Sequence, residues 1–283
     1  MQQIYVGSFQ MIVKDSVKGV EYPVLIHYPT YKISKPTAFG SYTMDVSVNA
    51  SIIEGKFPLL IISHGNGGSH LLYRTISTYL AKKGFVVAML EHYGNNRNDN
   101  ILENTIENLQ LRPRHIRLTI DAVLTEFMFC NSIIISKIAV IGHSMGGYAA
   151  LALAGGIPRT LEGDVVETET DSRVKAIVLM APGAGWFKNA LHKVVIPILM
   201  FTAENDFVTP SWNADIVLQS VPDAKQVSHK IIANAGHFSF LSPFPEKMKS
   251  PTFLPSTDPA GFDRGQFHTQ LPVDICKFLQ EKL

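Results

Sequence analysis

The chain has 283 residues, of which 46% are hydrophobic and 17% charged, with 25 basic against 24 acidic side chains. A chain of this size buries enough apolar surface to fold without stabilisation by metal ions or disulfide bonds. Its composition lies far from that of disordered proteins. The balanced charge, with no long basic run, argues against nucleic acid as a partner.

Short apolar runs of strand length alternate along the chain with longer segments of helical spacing, which is typical of strands buried on both faces and joined by helices. This alternation predicts a single α/β domain over residues 1–283, with a doubly wound, mostly parallel sheet and helices on both faces. The first 50 residues are expected to form one or two antiparallel edge hairpins. The predicted strands are Val24–Tyr28, Phe57–Ile62, Phe85–Leu90, Lys137–Ile141, Ala176–Met180, Ile198–Thr202 and Lys230–Ala233, and the predicted helices are Leu71–Lys83, Arg112–Phe129, Met145–Ala154, Ser211–Gln219 and Val273–Lys282.

Three segments interrupt the alternation, and we interpret them as loop insertions. They are Lys32–Gly55, Gly155–Asp171 and Ser242–Gly265, and five prolines exclude regular structure from the last. Loops of this length in a compact domain are often functional, so we predict that these three form the walls of a pocket.

The most informative motif follows the strand Lys137–Ile141. It reads Gly142-His143-Ser144-Met145-Gly146 and leads into a helix that begins with small residues. A serine on such a sharp strand-to-helix turn is typical of a nucleophile elbow, because the strained turn projects the hydroxyl from the sheet edge. The alternative is an incidental glycine-rich turn.

A serine hydroxyl needs a general base, and the base needs an orienting acid. Two late strands are followed by such residues: Glu204 and Asp206 after Ile198–Thr202, and His237 after Lys230–Ala233. The order serine, acid, histidine is that of α/β-hydrolases. We favour Asp206 as the acid, with Glu204 as the alternative. His237 could also be a loop histidine held by hydrogen bonds.

Backbone N–H groups must stabilise the oxyanion that forms on the substrate carbonyl. One is expected from Met145, the residue after the predicted nucleophile. The second is expected from Asn66, in the glycine-rich segment Gly65–Gly68 after the strand Phe57–Ile62. His64 could be mistaken for a second base, but a structural role in hydrogen-bonding this loop is favoured.

These segments together resemble the α/β-hydrolase superfamily, over nearly the whole chain. Within it, the chain is similar to the predicted dienelactone-hydrolase and platelet-activating-factor acetylhydrolase-like branch, through Tyr22–Thr30, Glu91-His92 and Gly261–His268. True dienelactone hydrolases carry a cysteine at the elbow where this chain has Ser144, so the resemblance does not imply dienelactone as the substrate. His268 and Arg264 follow the family pattern and are expected to hold the proline-rich loop.

The resemblance implies a serine hydrolase of small carboxylic esters that works through an acyl-enzyme and needs no cofactor or metal. Lactonase, amidase or acyltransferase activity would use the same residues, and a non-catalytic binding protein of the same fold is a further alternative. The sequence contains no HExxH motif, the pattern that would indicate a metal-dependent hydrolase.

The remaining expectations concern the compartment and the cysteines. The apolar runs are too short to cross a membrane and no targeting segment is recognisable, so we expect a cytoplasmic protein without a membrane span. Cys130 and Cys276 lie too far apart in sequence for a CxxC motif and are expected to be buried free thiols. The sequence does not indicate an oligomeric state.

Overall fold

A computed structural model describes residues 2–283, and ten strands form one sheet in the order β10-β9-β8-β7-β5-β6-β2-β1-β4-β3. The six strands from β10 to β6 are parallel to one another, whereas β2 is antiparallel to both β6 and β1. The predicted mostly parallel sheet and antiparallel N-terminal edge are therefore confirmed. The strands are β1 (Tyr5–Asp15), β2 (Val20–Thr30), β3 (Lys35–Phe39), β4 (Tyr42–Val48), β5 (Phe57–Ser63), β6 (Val86–Leu90), β7 (Ile133–His143), β8 (Val174–Met180), β9 (Ile198–Ala203) and β10 (Val227–Ile232).

Helices cover both faces of the sheet, as a doubly wound fold requires. The helices are α1 (Arg74–Lys82), α2 (Ile106–Thr125), α3 (Met145–Leu153), α4 (Trp212–Ser220) and α5 (Arg264–Lys282). The buried side chains of α2, α3 and α4 pack in one core, and those of α1 and α5 pack in a second core on the opposite face. The central strands read as continuous apolar runs because each of them faces both cores.

The interpretation of Lys32–Gly55 as a polar loop was wrong, because most of this segment forms the hairpin of β3 and β4. Tyr42, Met44 and Val46 are buried, and the residues between them are exposed. A strand with one buried face alternates apolar and polar side chains, so its average composition is polar even though its period of two indicates a strand.

Two helices begin earlier than predicted, and each has a proline inside it. Thr105 caps α2 and Asp263 caps α5, each by accepting a backbone N–H through its side chain. Proline removes one helical hydrogen bond, which is why the sequence favoured a later start. In α2 the carbonyl of Leu109 loses the N–H of Pro113 as a donor, and the hydroxyl of Tyr148 donates to it instead, at 3.1 Å.

The other expectations for the fold are confirmed in part. No regular helix or strand forms within residues 155–171, and residues 242–263 contain only single turns of 3-10 helix. Both cysteines are free and Cys276 is buried, but Cys130 lies exposed in the turn after α2, which corrects the expectation of two buried thiols. Among residues 2–283, no helix is both long and apolar enough to cross a membrane.

Candidate active site

The predicted site residues lie at one edge of the sheet, where the parallel strands end. Ser144 follows β7, Asp206 lies in the loop after β9, and His237 lies in the loop after β10. The loop that contains Asn66 follows β5. The carboxyl ends of parallel strands share one edge of the sheet, so chain segments that are distant in sequence meet there.

Ser144 occupies a sharp turn between β7 and α3. Its φ of 55° and ψ of −118° lie outside the regions that a non-glycine residue normally adopts. Glycine is required on both sides of this turn: a Cβ on Gly142 would lie 2.2 Å from the carbonyl oxygen of Gly146, and one on Gly146 would lie 1.9 Å from that of Ser63. Side chains at these two positions are therefore excluded by the approach of strand and helix, and Ser144 faces a cavity that His237 also lines.

His237 and Asp206 form a buried pair, in which His237 Nδ1 donates to Asp206 Oδ2 at 2.8 Å. The other carboxylate oxygen accepts the backbone N–H groups of Val208 and Thr209, at 2.8 and 2.7 Å. Burial raises the pKa of Asp206, but the hydrogen bonds from His237 and Thr209 outweigh it and hold the pKa below its usual value. Asp206 is therefore ionised at neutral pH and fixes the tautomer of His237 that leaves Nε2 free of a proton.

Glu204, the alternative acid, is held elsewhere. It is exposed, and its carboxylate accepts the backbone N–H of Asn234 at 2.7 Å. This contact ties the loop after β9 to the end of β10, and the geometry therefore favours Asp206 as the partner of His237.

The segment Gly65–Gly68, which we call the oxyanion loop, packs directly against the elbow. A Cβ on Gly65 would lie 3.1 Å from Ser144 Cβ, and Asn66 lines the cavity that contains Ser144. The Asn66 side chain is bound by Glu103 and by Asn95. Met145 is the first residue of α3, where a backbone N–H has no acceptor within the helix.

Arg112 contacts the oxyanion loop from the protein interior, and its role was not predicted from the sequence. It is fully buried, and its guanidinium donates to the carbonyl oxygens of His64 and Gly65 at 2.7 and 3.1 Å. The same group donates to Asn95 Oδ1. Within residues 2–283 no carboxylate forms an ion pair with it.

The charge of Arg112 is retained despite its burial. Burial lowers the pKa of Arg112 to about 9, so the guanidinium is still positive at neutral pH. The sequence carried one signal of this position: Arg112 lies on the same face of α2 as Leu109, Ile116 and Ile120, which are apolar and buried. A cation on the buried stripe of a helix indicates a polar interior site.

His64 has the structural role that the sequence favoured. Its Nδ1 donates to the carbonyl of Gly65 at 2.7 Å, and its Nε2 accepts the backbone N–H of His92 at 3.0 Å. Burial and the charge of Arg112 hold the pKa of His64 well below its usual value. Both ring nitrogens are therefore occupied in a neutral ring. Among residues 2–283, no group of three or more His, Cys, Asp or Glu side chains is arranged to hold a metal ion.

A chain of hydrogen bonds links the oxyanion loop to the loop of His237. The N–H of Gly65 donates weakly to the Tyr73 hydroxyl at 3.4 Å, which donates to His143 Nδ1 at 3.0 Å. His143 Nε2 then donates to the carbonyl of His237 at 3.0 Å. Burial lowers the pKa of His143 to about 3, so its neutral ring can accept at one nitrogen and donate at the other.

The cavity at Ser144 has a volume of about 220 Å³, and only one of the three predicted loop insertions contributes to its walls. Phe253 and Pro255 of the proline-rich segment face it, together with Arg97 from the loop after β6. Residues 32–55 and 155–171 instead line separate surface depressions, which corrects the prediction that they enclose the site.

Arg264 holds the proline-rich segment, as expected. It donates to the carbonyls of Pro255 and Thr257 and pairs with Asp258 at 2.9 Å, which fixes the wall of the cavity that Pro255 provides. His268 does not bond to this segment, which corrects the expectation for it. Its ring bonds instead to the carbonyl of Ser239 at 3.1 Å and to the hydroxyl of Thr75 at 2.8 Å.

Comparisons with known proteins agree with this architecture. A family model described as the alpha/beta hydrolase fold matches residues 58–192. Cutinase est1 of Thermobifida alba is 26% identical over 184 residues, which are 64% of this chain and 53% of that protein. The platelet-activating factor acetylhydrolase of Bos taurus is 30% identical over 153 residues, 38% of this chain and 34% of the relative.

A solved structure agrees over nearly the whole length. A ferulic acid esterase from Streptomyces cinnamoneus superposes with a TM-score of 0.75, covering 99% of this chain and 91% of that chain at 16% identity. This likeness shows the fold. The chain spans about half the length of the cutinase, 53%, and less of the acetylhydrolase, so their activities bear on this chain only as a proposal.

Proposed function

This chain belongs to the α/β-hydrolase superfamily, and we propose that it hydrolyses small carboxylic esters with Ser144 as the nucleophile. The observation that carries the proposal is the strained turn at Ser144, which faces the same cavity as His237, whose ring is paired with the buried Asp206. The relatives named cutinase and platelet-activating factor acetylhydrolase, and the structural neighbour named ferulic acid esterase, support an ester substrate.

In the proposed reaction, His237 removes the proton of the Ser144 hydroxyl while the oxygen attacks the ester carbonyl. Asp206 holds the ring in the tautomer that can accept this proton and stabilises the imidazolium that forms. Collapse of the tetrahedral intermediate releases the alcohol, which takes the proton from His237, and leaves an acyl group on Ser144. Water then attacks the acyl-enzyme by the same steps and releases the acid.

The negative charge on the carbonyl oxygen is proposed to be stabilised by the backbone N–H groups of Asn66 and Met145. The close approach of Gly65 to Ser144 supports this assignment for the oxyanion loop. The position of Met145 at the start of α3 supports it for the helix, whose N-terminus also favours negative charge. Losing one such donor typically lowers kcat about 10²–10³-fold.

Serine replacement tests the proposal directly. Ser144→Ala is expected to abolish both p-nitrophenyl ester hydrolysis and labelling by a fluorophosphonate probe, because no other hydroxyl occupies the turn. The matched control is Glu204→Gln, which alters an exposed acid near the site and is expected to retain most activity. Undiminished turnover by purified, folded Ser144→Ala would show that the mechanism is wrong. A panel of esters, lactones and amides then separates the alternative acyl substrates.

The cavity volume supports a short acyl group. About 220 Å³ is below the range of roughly 300–1,000 Å³ of cavities that take drug-sized ligands. A series of p-nitrophenyl esters is expected to give its highest kcat/KM at short chain lengths. A maximum at dodecanoyl or longer chains would contradict this expectation.

The cytoplasm is the proposed location. Two free cysteines, one of them exposed, are compatible with a reducing compartment. Fractionation of the producing cells with antibody detection tests this, and recovery in the external medium would exclude it.

A further inference from the structure

The cavity at Ser144 contains one side chain with a permanent charge among the described residues that line it. That side chain is Arg97, whereas the remaining walls are mostly glycine and apolar groups such as Leu72, Leu241 and Phe253. Of the two histidines in the cavity, His143 is neutral and His237 is paired with Asp206. A substrate that enters this cavity therefore meets a single fixed positive charge.

The backbone at Arg97 is held firmly against the oxyanion loop. Its N–H donates to the carbonyl of Gly68 at 2.8 Å, and the neighbouring Asn96 forms a parallel bridge with Gly68. Asn96 also donates to the carbonyl of His92 at 2.8 Å and accepts two backbone N–H groups of the following turn. The position of Arg97 relative to Ser144 is thus determined by the same loop that faces the elbow.

The guanidinium of Arg97 is available to a ligand. The side chain is exposed, and its guanidinium lies 5.9 Å from the ring centre of Phe253. It donates no hydrogen bond to any group of the part of the chain that the structure describes. Within residues 2–283, no acidic side chain forms an ion pair with it. Glu103, the carboxylate that contacts this loop, is occupied by the amides of Asn66 and Asn100.

A second unpaired cation reinforces the positive potential. Arg112 lies on the interior side of the oxyanion loop, and among the described residues its guanidinium donates only to uncharged oxygens, so no carboxylate there neutralises its charge. Arg97 and Arg112 therefore flank the same loop, one from the cavity and one from the protein interior. A cleft with walls of low dielectric concentrates such a potential and attracts an anion.

We propose that Arg97 selects ester substrates that carry a second, anionic group, with a carboxylate as the representative chemistry. This inference rests on the proposed function and adds a substrate class to it. A planar guanidinium can donate two parallel hydrogen bonds to a carboxylate, which gives orientation as well as attraction. The anion can belong to the acyl part, as in the monoester of a dicarboxylic acid, or to the alcohol part.

The test measures kcat/KM for two pairs of substrates, each pair differing only in a carboxylate or its amide. The acyl pair is the p-nitrophenyl monoester of adipic acid and that of its half-amide. The alcohol pair is p-acetoxybenzoate and p-acetoxybenzamide. The protein is expected to prefer the acid in one pair by about three- to fivefold, the range of a partly exposed ion pair. The pair that shows the preference identifies the part of the substrate that carries the charge.

Three variants connect this preference to Arg97. Arg97→Gln is expected to remove the preference, so that the acid and the amide of that pair are hydrolysed with equal kcat/KM. Arg97→Lys retains the charge without the planar fork and is expected to keep part of the preference. Lys35→Gln, on the exposed edge strand β3, changes the net charge equally and is expected to have no effect.

The outcomes separate this inference from the proposed function. Equal turnover of acid and amide in both pairs, or an undiminished preference in Arg97→Gln, would overturn the role of Arg97 and leave the esterase proposal standing. If the wild-type protein hydrolyses none of the four esters and Ser144 is not labelled by a fluorophosphonate, the proposed function fails, and the substrate class fails with it.

Discussion

The two sides of the Ser144 cavity each contain a buried charge, and the two charges have opposite signs. On the side built from the loops after β9 and β10, a carboxylate, Asp206, lies buried beneath a histidine. On the side built from the loops after β5 and β6, a guanidinium, Arg112, lies buried beneath backbone carbonyls. The reaction proposed above creates a positive imidazolium on the first side and a negative oxyanion on the second. Each buried charge therefore has the sign opposite to the charge that forms nearest to it.

This contrast explains why Asp206 and His237 could be predicted from the sequence and Arg112 could not. A carboxylate and a histidine act through direct contact, so their residue types and their order along the chain indicate them. A buried cation that holds a loop through its carbonyls has no motif, because any loop sequence offers carbonyl oxygens. Its action on catalysis is through position and long-range potential.

Removing the negative charge of Asp206 is expected to have the largest effect on kcat. Asp206→Asn should lower kcat by about 10⁴-fold, because an amide can donate to His237 Nδ1 and favour the wrong tautomer. Steady-state hydrolysis of a p-nitrophenyl ester measures this, with Glu204→Gln as the matched control near the same loop. An active Asp206→Asn beside an inactive Glu204→Gln would move the acid to Glu204.

Removing the positive charge of Arg112 is expected to have a smaller effect on kcat and a clear effect on the stability of the fold. Arg112→Met leaves the buried carbonyl of His64 without its guanidinium donor, at about 1–3 kcal/mol, whereas the carbonyl of Gly65 keeps the hydrogen bond from His64 Nδ1. The oxyanion loop then loses its support, and kcat should fall about 10- to 100-fold, below the loss of a whole donor. Thermal unfolding and the separation of kcat from KM measure the two effects.

Arg112→Lys distinguishes positioning from simple destabilisation. Lysine keeps the buried charge but reaches fewer acceptors than the guanidinium fork, so we expect kcat between those of the wild type and Arg112→Met. KM should stay close to the wild-type value in both variants, because the oxyanion that this loop is proposed to bind forms only in the transition state. If kcat is unaffected in folded Arg112→Met, the oxyanion loop does not depend on this residue.

Much of the fold follows from the sequence because the central strands are buried on both faces. The apolar runs at Phe57–Ile62 and Ile198–Thr202 need no knowledge of their neighbours, and β5 and β9 match them to within one residue. One or two hairpins were expected in the first 50 residues, but β3 and β4 were not located in the segment taken as a loop, because only every second residue of β4 is apolar. The starts of α2 and α5 were missed because Pro113 and Pro272 lie inside these helices.

The site was predictable to the extent that local chain geometry creates it. Gly142 and Gly146 are dictated by the turn itself, and the structure gives the contacts that exclude side chains there. Arg97 lies in a polar run of asparagines and aspartate, where nothing in the sequence indicates which side chain faces the cavity. Its place depends on the contact of the loop after β6 with Gly68, a long-range pairing that periodicity does not reveal.

The hydrogen-bond chain from Gly65 to His237 predicts that breaking it in the middle lowers kcat moderately. Tyr73→Phe removes the hydroxyl that accepts from Gly65 and donates to His143, while the ring keeps its packing. A hydrogen bond of this kind contributes about 0.5–1.5 kcal/mol, so kcat should fall about two- to tenfold. Tyr79→Phe, on the adjacent helix α1 and outside this chain of hydrogen bonds, is the matched control. Equal kinetics of Tyr73→Phe and Tyr79→Phe would show that the two sides act independently.

The smallest effect is expected from lowering the pH, which protonates Glu91, the residue directly after β6 on the side of the oxyanion loop. Glu91 accepts from Ser69 Oγ at 3.1 Å and from His70 Nδ1 at 2.8 Å. Burial raises the pKa of Glu91, but the contacts with His70 and Ser69 outweigh it and hold the pKa below its usual value. The unfolded chain therefore binds a proton more readily than the folded chain, and the stability due to this group is present above about pH 4.3 and is lost as the pH falls further.

Glu91→Gln should therefore have a lower Tm than the wild type at neutral pH, by about 2–4 °C for each kcal/mol lost, and the gap should narrow towards pH 3. Scanning calorimetry from pH 3 to pH 7 measures the two curves, and ester hydrolysis at neutral pH should stay within about threefold of the wild type. A gap that widens in acid would mean that Glu91 is protonated in the folded state. A kcat loss as large as that of Asp206→Asn would mean that the second side also depends on a carboxylate, and the contrast between the two sides would not hold.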